Sequence, residues 1–595
     1  MSIPLDGIDV PVASHDNGIW GSDAVAAMLR KLDIPYLALN PGSSFRGLHD
    51  SLVNHLGNEQ PQMLLCLHEE HAVAVAHGYA KVAGHPMGVI LHSNVGLMHG
   101  AMAIYNAWCD RVPMLILGAT GPFDAAERRP WIDWLHTAKD QAALIRPYIK
   151  WDDQPVSVPA TLESLLRAVN LTRATPMAPT YVCLDVSMQE RRLEAMPEFP
   201  DPARYRAPST SVPASDDIAA AAALLAGARN PLILLGRLSR DPRDWARRVA
   251  LAERLKARVL TDIKVGAVFP TDHELHAAKP GHFLDETGAR HIREADVIAA
   301  FDWVDLAGTL KQGGGAAGAK VINVALDHHL HNGWSMDHQA LPPADLYLSG
   351  DPDLTLHLIA DELGVGAGPE PDTLPALPAL RLGSEAGELD VVSLAAAIGE
   401  VLRDEIVSLV RLPLGWAGDS WHFRHPLDYL GSDGGAGIGS GPGMLIGAAL
   451  ALRGSGRLPV AVLGDGDTMM GVSALWTAAR YKLPFLAIVS NNRSFYNDEI
   501  HQERVARTRD RPVENKWIGQ RIGDPDIDIA AIARAQGLVG IGPVSSTDEL
   551  VTAVREGAAA AKAGASVLID ARVKPGYNPT MAAGMTREAS KATGD

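Results

Sequence analysis

One rhythm recurs along the chain and constrains its fold more than any other feature: an apolar strand, a turn containing Gly or Asn, an Ala-rich helix and another strand. Units of this kind predict parallel sheets with helices on both faces. The predicted fold class is therefore α/β, with three doubly wound parallel-sheet domains at 15–190, 213–365 and 386–578. Strands are predicted at 36–40, 63–67, 87–93, 113–118, 231–236, 257–262, 296–301, 320–326, 459–464, 484–490 and 566–571.

Two Pro-rich segments, 198–215 and 368–383, separate the three domains. Proline can neither pair in a central strand nor continue a helix, so both segments are predicted to be linkers. The C-terminal residues, 579–595, are small and polar, and we expect a loose tail of the kind that can also close over an active site.

Charge and composition exclude several classes of function. The net charge of -17 argues against a nucleic-acid or anionic-membrane partner, because either needs a basic face. Three cysteines are too few for a disulfide framework. The N-terminus shows no signal-peptide pattern, and the apolar runs are shorter than a membrane span, so a cytoplasmic location is expected.

Polar residues follow two consecutive strands in the third domain. Asp465 ends one apolar strand, and Asn492 ends the next strand after an intervening helix. A right-handed crossover places such strands side by side, so both residues reach the same sheet edge. Their oxygens suit Mg²⁺ completed by phosphate and water, and Gly464 and Gly466 allow a diphosphate to approach the backbone. GDG or NN alone is more often just a turn.

The first domain contains LCLHEEHAVAVAHGYAK, in which Glu69 and Glu70 open an Ala-rich helix. Acidic residues commonly stabilise a helix N-terminus, which is a sufficient explanation for Glu70. Together with GDG…NN, this segment resembles the thiamine-diphosphate-dependent enzymes, in which a Glu stands eight residues before Gly-Tyr-Ala-Arg/Lys. That pattern falls on Glu69.

The resemblance covers all three domains, in the order pyrimidine-binding, central and diphosphate-binding. It implies thiamine diphosphate and Mg²⁺, with Glu69 beside the aminopyrimidine ring and the Ser494 carbonyl as third metal ligand. It also implies a homodimer or homotetramer with active sites at the subunit interface. Ile438 takes the place of the residue that bends the cofactor, and Gly415 and Trp416 are candidates to reach the diphosphate. Asp467 departs from the small residue common in the family, and we expect its side chain to point away from the diphosphate.

Within this superfamily, LNPGS, LHSNVG and YNAWCDRVP are similar to segments of benzoylformate decarboxylase, with a more general similarity to acetolactate synthase. The likeness matches Ser43 to a serine that contacts the substrate carboxylate and His92 to a histidine that relays protons. Benzoylformate decarboxylase also carries a second catalytic histidine in its central domain. The corresponding stretch, AFDWVDLAGTLKQ, has Trp303 and Asp305 but no histidine.

Asp498 and Glu499 are either acid–base groups over the reacting centre or simply the start of a solvated helix. Candidates for an apolar wall of the substrate site are Phe495, Tyr496, Met469 and Trp421. GGGAAGA at 313–319 lacks the strand-to-helix placement of a dinucleotide fingerprint, so no FAD is predicted.

The leading hypothesis is non-oxidative decarboxylation of a 2-oxo acid. The alternative within the same chemistry is a carboligase of the acetolactate synthase type or a 2-hydroxy ketone lyase. A dinucleotide-dependent oxidoreductase is disfavoured by the missing fingerprint. A non-catalytic homologue is disfavoured by intact Glu69, Asp465 and Asn492.

Overall fold

The computed structural model describes residues 5, 7–13, 18–315, 318–329, 340–371, 389–577 and 579–586. Three sheets of parallel strands with flanking helices confirm the predicted α/β class. Most of the segment 368–383 and the end of the tail, 587–595, lie outside the described residues. Among the described residues, no helix is both long and apolar enough to cross a membrane.

The first part of the chain forms a six-stranded sheet and a short antiparallel ribbon. Its strands are β1 (Ile19–Trp20), β2 (Tyr36–Leu39), β3 (Gln62–Leu65), β4 (Met87–Leu91), β5 (Met114–Thr120), β6 (Trp151–Asp153), β7 (Pro179–Asp185) and β8 (Arg192–Leu193). Its helices are α1 (Gly21–Lys31), α2 (Arg46–Asp50), α3 (Glu69–Ala83), α4 (Ser93–Cys109), α5 (Ile132–Leu135), α6 (Val158–Arg173) and α7 (Val186–Gln189). The sheet order is β3-β2-β4-β5-β7-β6, and β1 pairs with β8.

The central part forms a five-stranded parallel sheet. Its strands are β9 (Pro231–Leu235), β10 (Arg258–Leu260), β11 (Val297–Phe301), β12 (Lys320–Ala325) and β13 (Leu346–Ser349), in the order β10-β9-β11-β12-β13. Its helices are α8 (Ser215–Gly227), α9 (Pro242–Leu255), α10 (Glu286–Glu294), α11 (Leu306–Gln312) and α12 (Pro352–Glu362).

The third part forms another five-stranded parallel sheet. Its strands are β14 (Val407–Arg411), β15 (Leu458–Gly464), β16 (Phe485–Asn491), β17 (Val539–Val544) and β18 (Ser566–Arg572), in the order β14-β15-β16-β18-β17. Its helices are α13 (Val391–Leu402), α14 (Gly441–Ala451), α15 (Asp465–Met470), α16 (Ala474–Tyr481), α17 (Tyr496–Thr508), α18 (Ile529–Ala535), α19 (Thr547–Lys562) and α20 (Pro579–Thr586).

The third sheet is apolar on both faces, which explains its continuous apolar strands. Along β15, Val460 and Val462 enter a core shared with the central part, whereas Ala461 and Leu463 enter a core shared with the first part. Successive strand side chains point to opposite faces, so one strand anchors both neighbours. The third sheet therefore holds the three parts of the chain together.

Helices α3 and α14 cross closely and join the first part to the third. A Cβ at Gly78 would lie 2.0 Å from the Met444 carbonyl oxygen, and one at Gly447 would lie 1.8 Å from the Val75 carbonyl oxygen. Only glycine permits this approach of the two backbones. The crossing thus fixes α3, which begins at Glu69, to a helix of the third part of the chain.

The expectation of a loose tail is wrong for residues 579–586, which form α20. Met581 on this helix is buried, and a Cβ at Gly584 would lie 2.2 Å from the Phe283 ring. Just before the helix, the Tyr577 ring meets the Tyr496 ring edge-on at 5.1 Å. Apolar contacts on both sides thus order a segment whose composition suggests disorder.

Candidate active site

The structure brings together the three residues predicted to bind Mg²⁺. Strands β15 and β16 are parallel neighbours, with Gly464 opposite Ser490. Beyond their ends, the Ser494 N–H donates to Oδ2 of Asp465 at 3.1 Å and to Oδ1 of Asn492 at 2.9 Å. The preceding Asn491 is instead buried and donates to Asp570 at 2.8 Å. The second Asn of the pair, not the first, therefore faces Asp465.

The electrostatics of this edge suit a cation. Asp465 is buried, and burial raises the pKa of its carboxyl to about 6, against the effect of backbone N–H donors from Gly466 and Ser494. Within the described residues, no Lys or Arg forms an ion pair with Asp465. A Cβ at Gly464 would meet no atom within 4 Å, so open space borders the backbone just before Asp465. Hard oxygen donors without a cationic side chain fit Mg²⁺ and a diphosphate.

The side chain of Asp467 holds the neighbouring loop at 439–441. Its Oδ1 accepts from the backbone N–H of Gly439 at 2.6 Å and of Gly441 at 3.2 Å. Its Oδ2 lies 3.2 Å from Nε of Arg411, a residue at the end of β14 that was not predicted as part of the site. Arg411 thus supplies a positive charge beside the buried Asp467 carboxylate.

The same loop presents Ile438 to solvent, with 37% of the residue exposed. On its first-domain side, Nδ2 of Asn106 on α4 donates to the Gly437 carbonyl at 3.1 Å. On its other side, Asp467 holds Gly439. Ile438 is thus exposed between two glycines whose backbone groups are held by hydrogen bonds.

Glu69 is buried at the start of α3, and its Oε2 lies 3.0 Å from Nδ1 of His99 on α4. His99 stacks on His68, with ring centroids 4.8 Å apart. Ligand atoms of these three residues lie within 4.8 Å of one another, close enough to bind a metal ion. Glu70 points elsewhere: its Oε1 would lie 3.5 Å from a Cβ at Gly439, and burial and then the Asp467 carboxylate raise its pKa.

The two serines of the loop predicted to contact substrate, Ser43 and Ser44, lie in different environments. Ser43 is exposed, whereas Ser44 is buried, and its Oγ lies 2.8 Å from Nδ1 of His92. The Ser44 backbone N–H also donates to this nitrogen, at 3.4 Å. Burial and then the charge of His136 lower the pKa of His92, whereas Glu69 acts in the opposite direction. Ser44 could not be predicted, because nothing in an SS dipeptide distinguishes the buried serine.

Asp498 and Glu499 occupy different environments. Asp498 is exposed, whereas Glu499 is 1% exposed and its Oε1 lies 2.5 Å from the Ser494 hydroxyl and 3.2 Å from Nε of Arg521. Its other oxygen is buried without a partner among the described residues. Glu499 therefore supports the Ser494 loop, and Asp498 matches a solvated helix start.

Of the other residues predicted for the site, Phe495 lies beside the Asp465 edge, whereas Trp416 and Trp421 lie in the hydrophobic core. Phe495 packs against Gly466, where a Cβ would lie 2.6 Å from its ring. Trp416 and Trp421 are buried in the core shared by the central and third parts. Within the described chain, the Trp416 indole N–H has no acceptor, and Gly415 lies against the Tyr577 ring.

Comparison with known proteins identifies the family. Three models of thiamine pyrophosphate enzymes match the chain: the N-terminal TPP binding domain at 19–144, the central domain at 218–356 and the C-terminal TPP binding domain at 413–571. Together they cover more than half of the chain. The chain therefore belongs to the thiamine pyrophosphate enzyme family.

Similar curated proteins include benzoylformate decarboxylase of Pseudomonas aeruginosa, 26% identical over 84% of this chain and 90% of that protein. Acetolactate synthase of Bacillus subtilis is 24% identical, over 90% of both chains. Among solved structures, benzoylformate decarboxylase from Polynucleobacter necessarius has a TM-score of 0.77 and 21% identity, covering 94% of this chain and 99% of that one. The Rhodococcus jostii 4-hydroxybenzoylformate decarboxylase has a TM-score of 0.74 and 22% identity, covering 94% and 100%. The structural likeness shows the shared fold.

Proposed function

We propose that the protein is a thiamine-diphosphate- and Mg²⁺-dependent enzyme that decarboxylates a 2-oxo acid without oxidation. The observation that carries this proposal is the geometry of His92, whose Nδ1 is held by Ser44 beside the exposed Ser43. Glu69 acts electrostatically on the same imidazole. These contacts support the proposal that Glu69, which would activate the cofactor, shares one cleft with Ser43 and His92, which would bind the substrate.

The cofactor roles rest on the edge formed by β15 and β16. Asp465, Asn492 and the Ser494 carbonyl would bind Mg²⁺, while Gly464 and Gly466 would admit the diphosphate. Ile438 would pack against the cofactor, and Gly415 and Trp416 would reach it, since the Trp416 N–H lacks a partner among the described residues. When bound, thiamine diphosphate supplies the carbon nucleophile for C–C cleavage. Glu69 would hold a proton at the aminopyrimidine nitrogen.

The substrate roles rest on the Ser43 loop. The Ser43 hydroxyl would donate a hydrogen bond to the substrate carboxylate. The Ser44 backbone N–H can only donate, so it fixes Nδ1 of His92 as an acceptor and leaves the proton on Nε2. Nε2–H would then donate to the substrate carbonyl oxygen as negative charge develops there. Phe495, Tyr496 and Met469 would provide an apolar wall that favours an aryl substituent.

A carboligase of the acetolactate synthase type, or a 2-hydroxy ketone lyase, is the second candidate. It is favoured by the central part of the chain, where Trp303 and Asp305 occupy the stretch in which benzoylformate decarboxylase carries a histidine. Trp303 donates its indole N–H to Thr309 at 2.7 Å, and Asp305 caps α11, so neither side chain is free for proton transfer.

A panel of aryl and alkyl 2-oxo acids, scored for carbon dioxide, aldehyde and ligation products, separates the two candidates. We expect carbon dioxide and free aldehyde, with aryl substrates preferred. Ligation products without free aldehyde would favour the second candidate. No turnover of any 2-oxo acid would contradict the decarboxylase proposal.

We further propose a homodimer or homotetramer, with each site shared between subunits. Trp131 and Trp134 in the first part of the chain are 70% and 79% exposed, which leaves a large apolar area for a partner subunit to cover. Light scattering coupled to size-exclusion chromatography tests this proposal, and a monomer at micromolar concentration would contradict it.

A further inference from the structure

A second histidine lies beside His92, and it comes from the first part of the chain rather than from the central part. The rings of His136 and His92 are nearly perpendicular, at 88°, with centroids 4.9 Å apart. Burial is the first cause that lowers the pKa of His92, and the Coulombic interaction with His136 lowers it further. His136 thus contacts His92, the residue proposed above to donate a hydrogen bond to the substrate carbonyl oxygen.

His136 is fixed to the same helix end as His92. His92 caps the N-terminus of α4, and the next residue, Ser93, donates its hydroxyl to the His136 carbonyl oxygen. Asn94 donates from Nδ2 to the Leu135 carbonyl at 3.1 Å. Because both tethers come from the first turn of α4, the distance between the two imidazoles is set locally.

The His92 ring is enclosed on its other sides. A Cβ at Gly42 would lie 2.3 Å from Cγ of His92, and the Phe45 ring meets His92 edge-on at 6.5 Å. Ser44 occupies Nδ1. His136 adds to this enclosure. Because Ser44 engages Nδ1, Nε2 is the ring nitrogen of His92 that remains for a substrate among the described contacts.

Burial is the first factor that disfavours a proton on His92, and the groups that face it act next. Glu69, on α3, favours the imidazolium, whereas His136 and the backbone N–H of Ser44 disfavour it. In addition, Nδ1 of His136 is buried without a partner among the described residues. The residue as a whole is half-buried, and its ring lies against the His92 ring.

We propose that His136 is a positioning residue that keeps His92 neutral, with its Nε2–H directed at the carbonyl oxygen of the substrate. This inference rests on the proposed function for the role of His92, but not for the contact between the two rings. A neutral imidazole donates a hydrogen bond without giving up a proton prematurely, which suits a group that must hold its proton until charge develops on the substrate.

His136→Phe tests the proposal because it keeps an aromatic ring against His92 and removes the second imidazole. The pH dependence of His92 carbethoxylation by diethyl pyrocarbonate, followed by peptide mass spectrometry on the cofactor-loaded protein, reports its protonation without requiring turnover. We expect the reaction midpoint to move to higher pH. We also expect the acidic limb of the kcat/KM profile to move the same way, with kcat about tenfold lower and KM nearly unchanged.

His136→Gln is the second variant, for use if the Phe variant does not fold, and should give the same direction of shift. His49→Gln is the matched control, because His49 is an exposed histidine of the same part of the chain. An unchanged His92 midpoint in a folded His136 variant overturns this inference. If the midpoint shifts in the variant but the unmodified protein is inactive on every 2-oxo acid, the effect of His136 on His92 is supported. The proposed function is then overturned.

Discussion

The hydroxyl oxygen of Ser44 lies 2.8 Å from Nδ1 of His92, and this contact fixes which ring nitrogen of His92 is available to a substrate. Ser43, one residue earlier, is exposed and has no such role. The two neighbouring serines therefore have different roles: Ser44 holds His92, and Ser43 is proposed to bind the substrate carboxylate.

This division predicts different kinetic effects for the two serines. Ser43→Ala should weaken substrate binding by about 1–2 kcal/mol, the value of one lost hydrogen bond. KM should therefore rise, while kcat stays nearly unchanged. Ser44→Ala should lower kcat by about tenfold, because His92 loses the partner that orients it. His92→Ala should lower kcat by roughly 10²–10⁴-fold. Steady-state kinetics on an aryl 2-oxo acid measures all three, and equal effects of the two serine substitutions would contradict this division.

Glu69→Gln keeps the shape of the side chain but cannot carry the proton. Thiamine diphosphate should still bind, while deuterium exchange at C2 of the cofactor slows by orders of magnitude. Exchange followed by proton NMR after acid quench measures the effect. Glu70→Gln is the matched control, because Glu70 is the adjacent carboxylate on the same helix, directed at Asp467. Exchange at the unmodified rate in Glu69→Gln would show that another group activates the cofactor.

Asp465→Ala removes a buried carboxylate from the proposed metal site. We expect the affinities for Mg²⁺ and for thiamine diphosphate to fall together, since Asp465 would hold the metal ion that offsets the diphosphate charge. Isothermal titration calorimetry measures both affinities. Asp548→Ala, an exposed carboxylate of α19, should leave them unchanged. Undiminished cofactor affinity in Asp465→Ala would place the metal elsewhere.

His276 in the central part predicts a loss of stability in acid. Burial, then His422 and His273, lower its pKa to about 4, and its Nε2 lies 2.9 Å from the Thr261 hydroxyl. The unfolded chain, with a pKa near 6.5, binds the proton more readily, so stability falls as pH drops from about 6.5 to 4. One such group contributes up to ~1.4 kcal/mol per pH unit in this window.

His276→Gln should therefore flatten the decline of Tm between pH 6.5 and 4.5, measured by scanning calorimetry. His49→Gln, which removes an exposed imidazole, should leave the slope unchanged. An identical slope in His276→Gln and the unmodified protein would mean that His276 does not titrate differently in the folded state.

The strands could be predicted where they are apolar throughout. Every predicted strand is present, within two residues at each end. Of the parallel strands that were missed, β6, β13, β14 and β17 lie at sheet edges, and only β7 is internal. Edge strands such as WDD and VGIGPV carry polar residues, Gly or Pro, because one side of the strand is unpaired. Arg411, at the end of edge strand β14, was missed for this reason.

The candidate site was predictable where topology alone decides it. Parallel pairing of consecutive strands brings Asp465 and Asn492 to one edge, whatever the rest of the chain does. The contacts of Ser44 and His136 depend instead on how two irregular segments pack against α4. Loop packing of this kind leaves no periodic signal in a sequence.

The proposed decarboxylase activity is tested most directly by measuring carbon dioxide release from benzoylformate. The purified protein is first stripped of metal and cofactor. We predict that release requires both thiamine diphosphate and Mg²⁺, that neither alone restores it, and that Asp465→Ala protein remains inactive at cofactor concentrations that saturate the unmodified enzyme. Release that is independent of thiamine diphosphate, or no release from benzoylformate or any other 2-oxo acid with both present, would contradict the proposed decarboxylase.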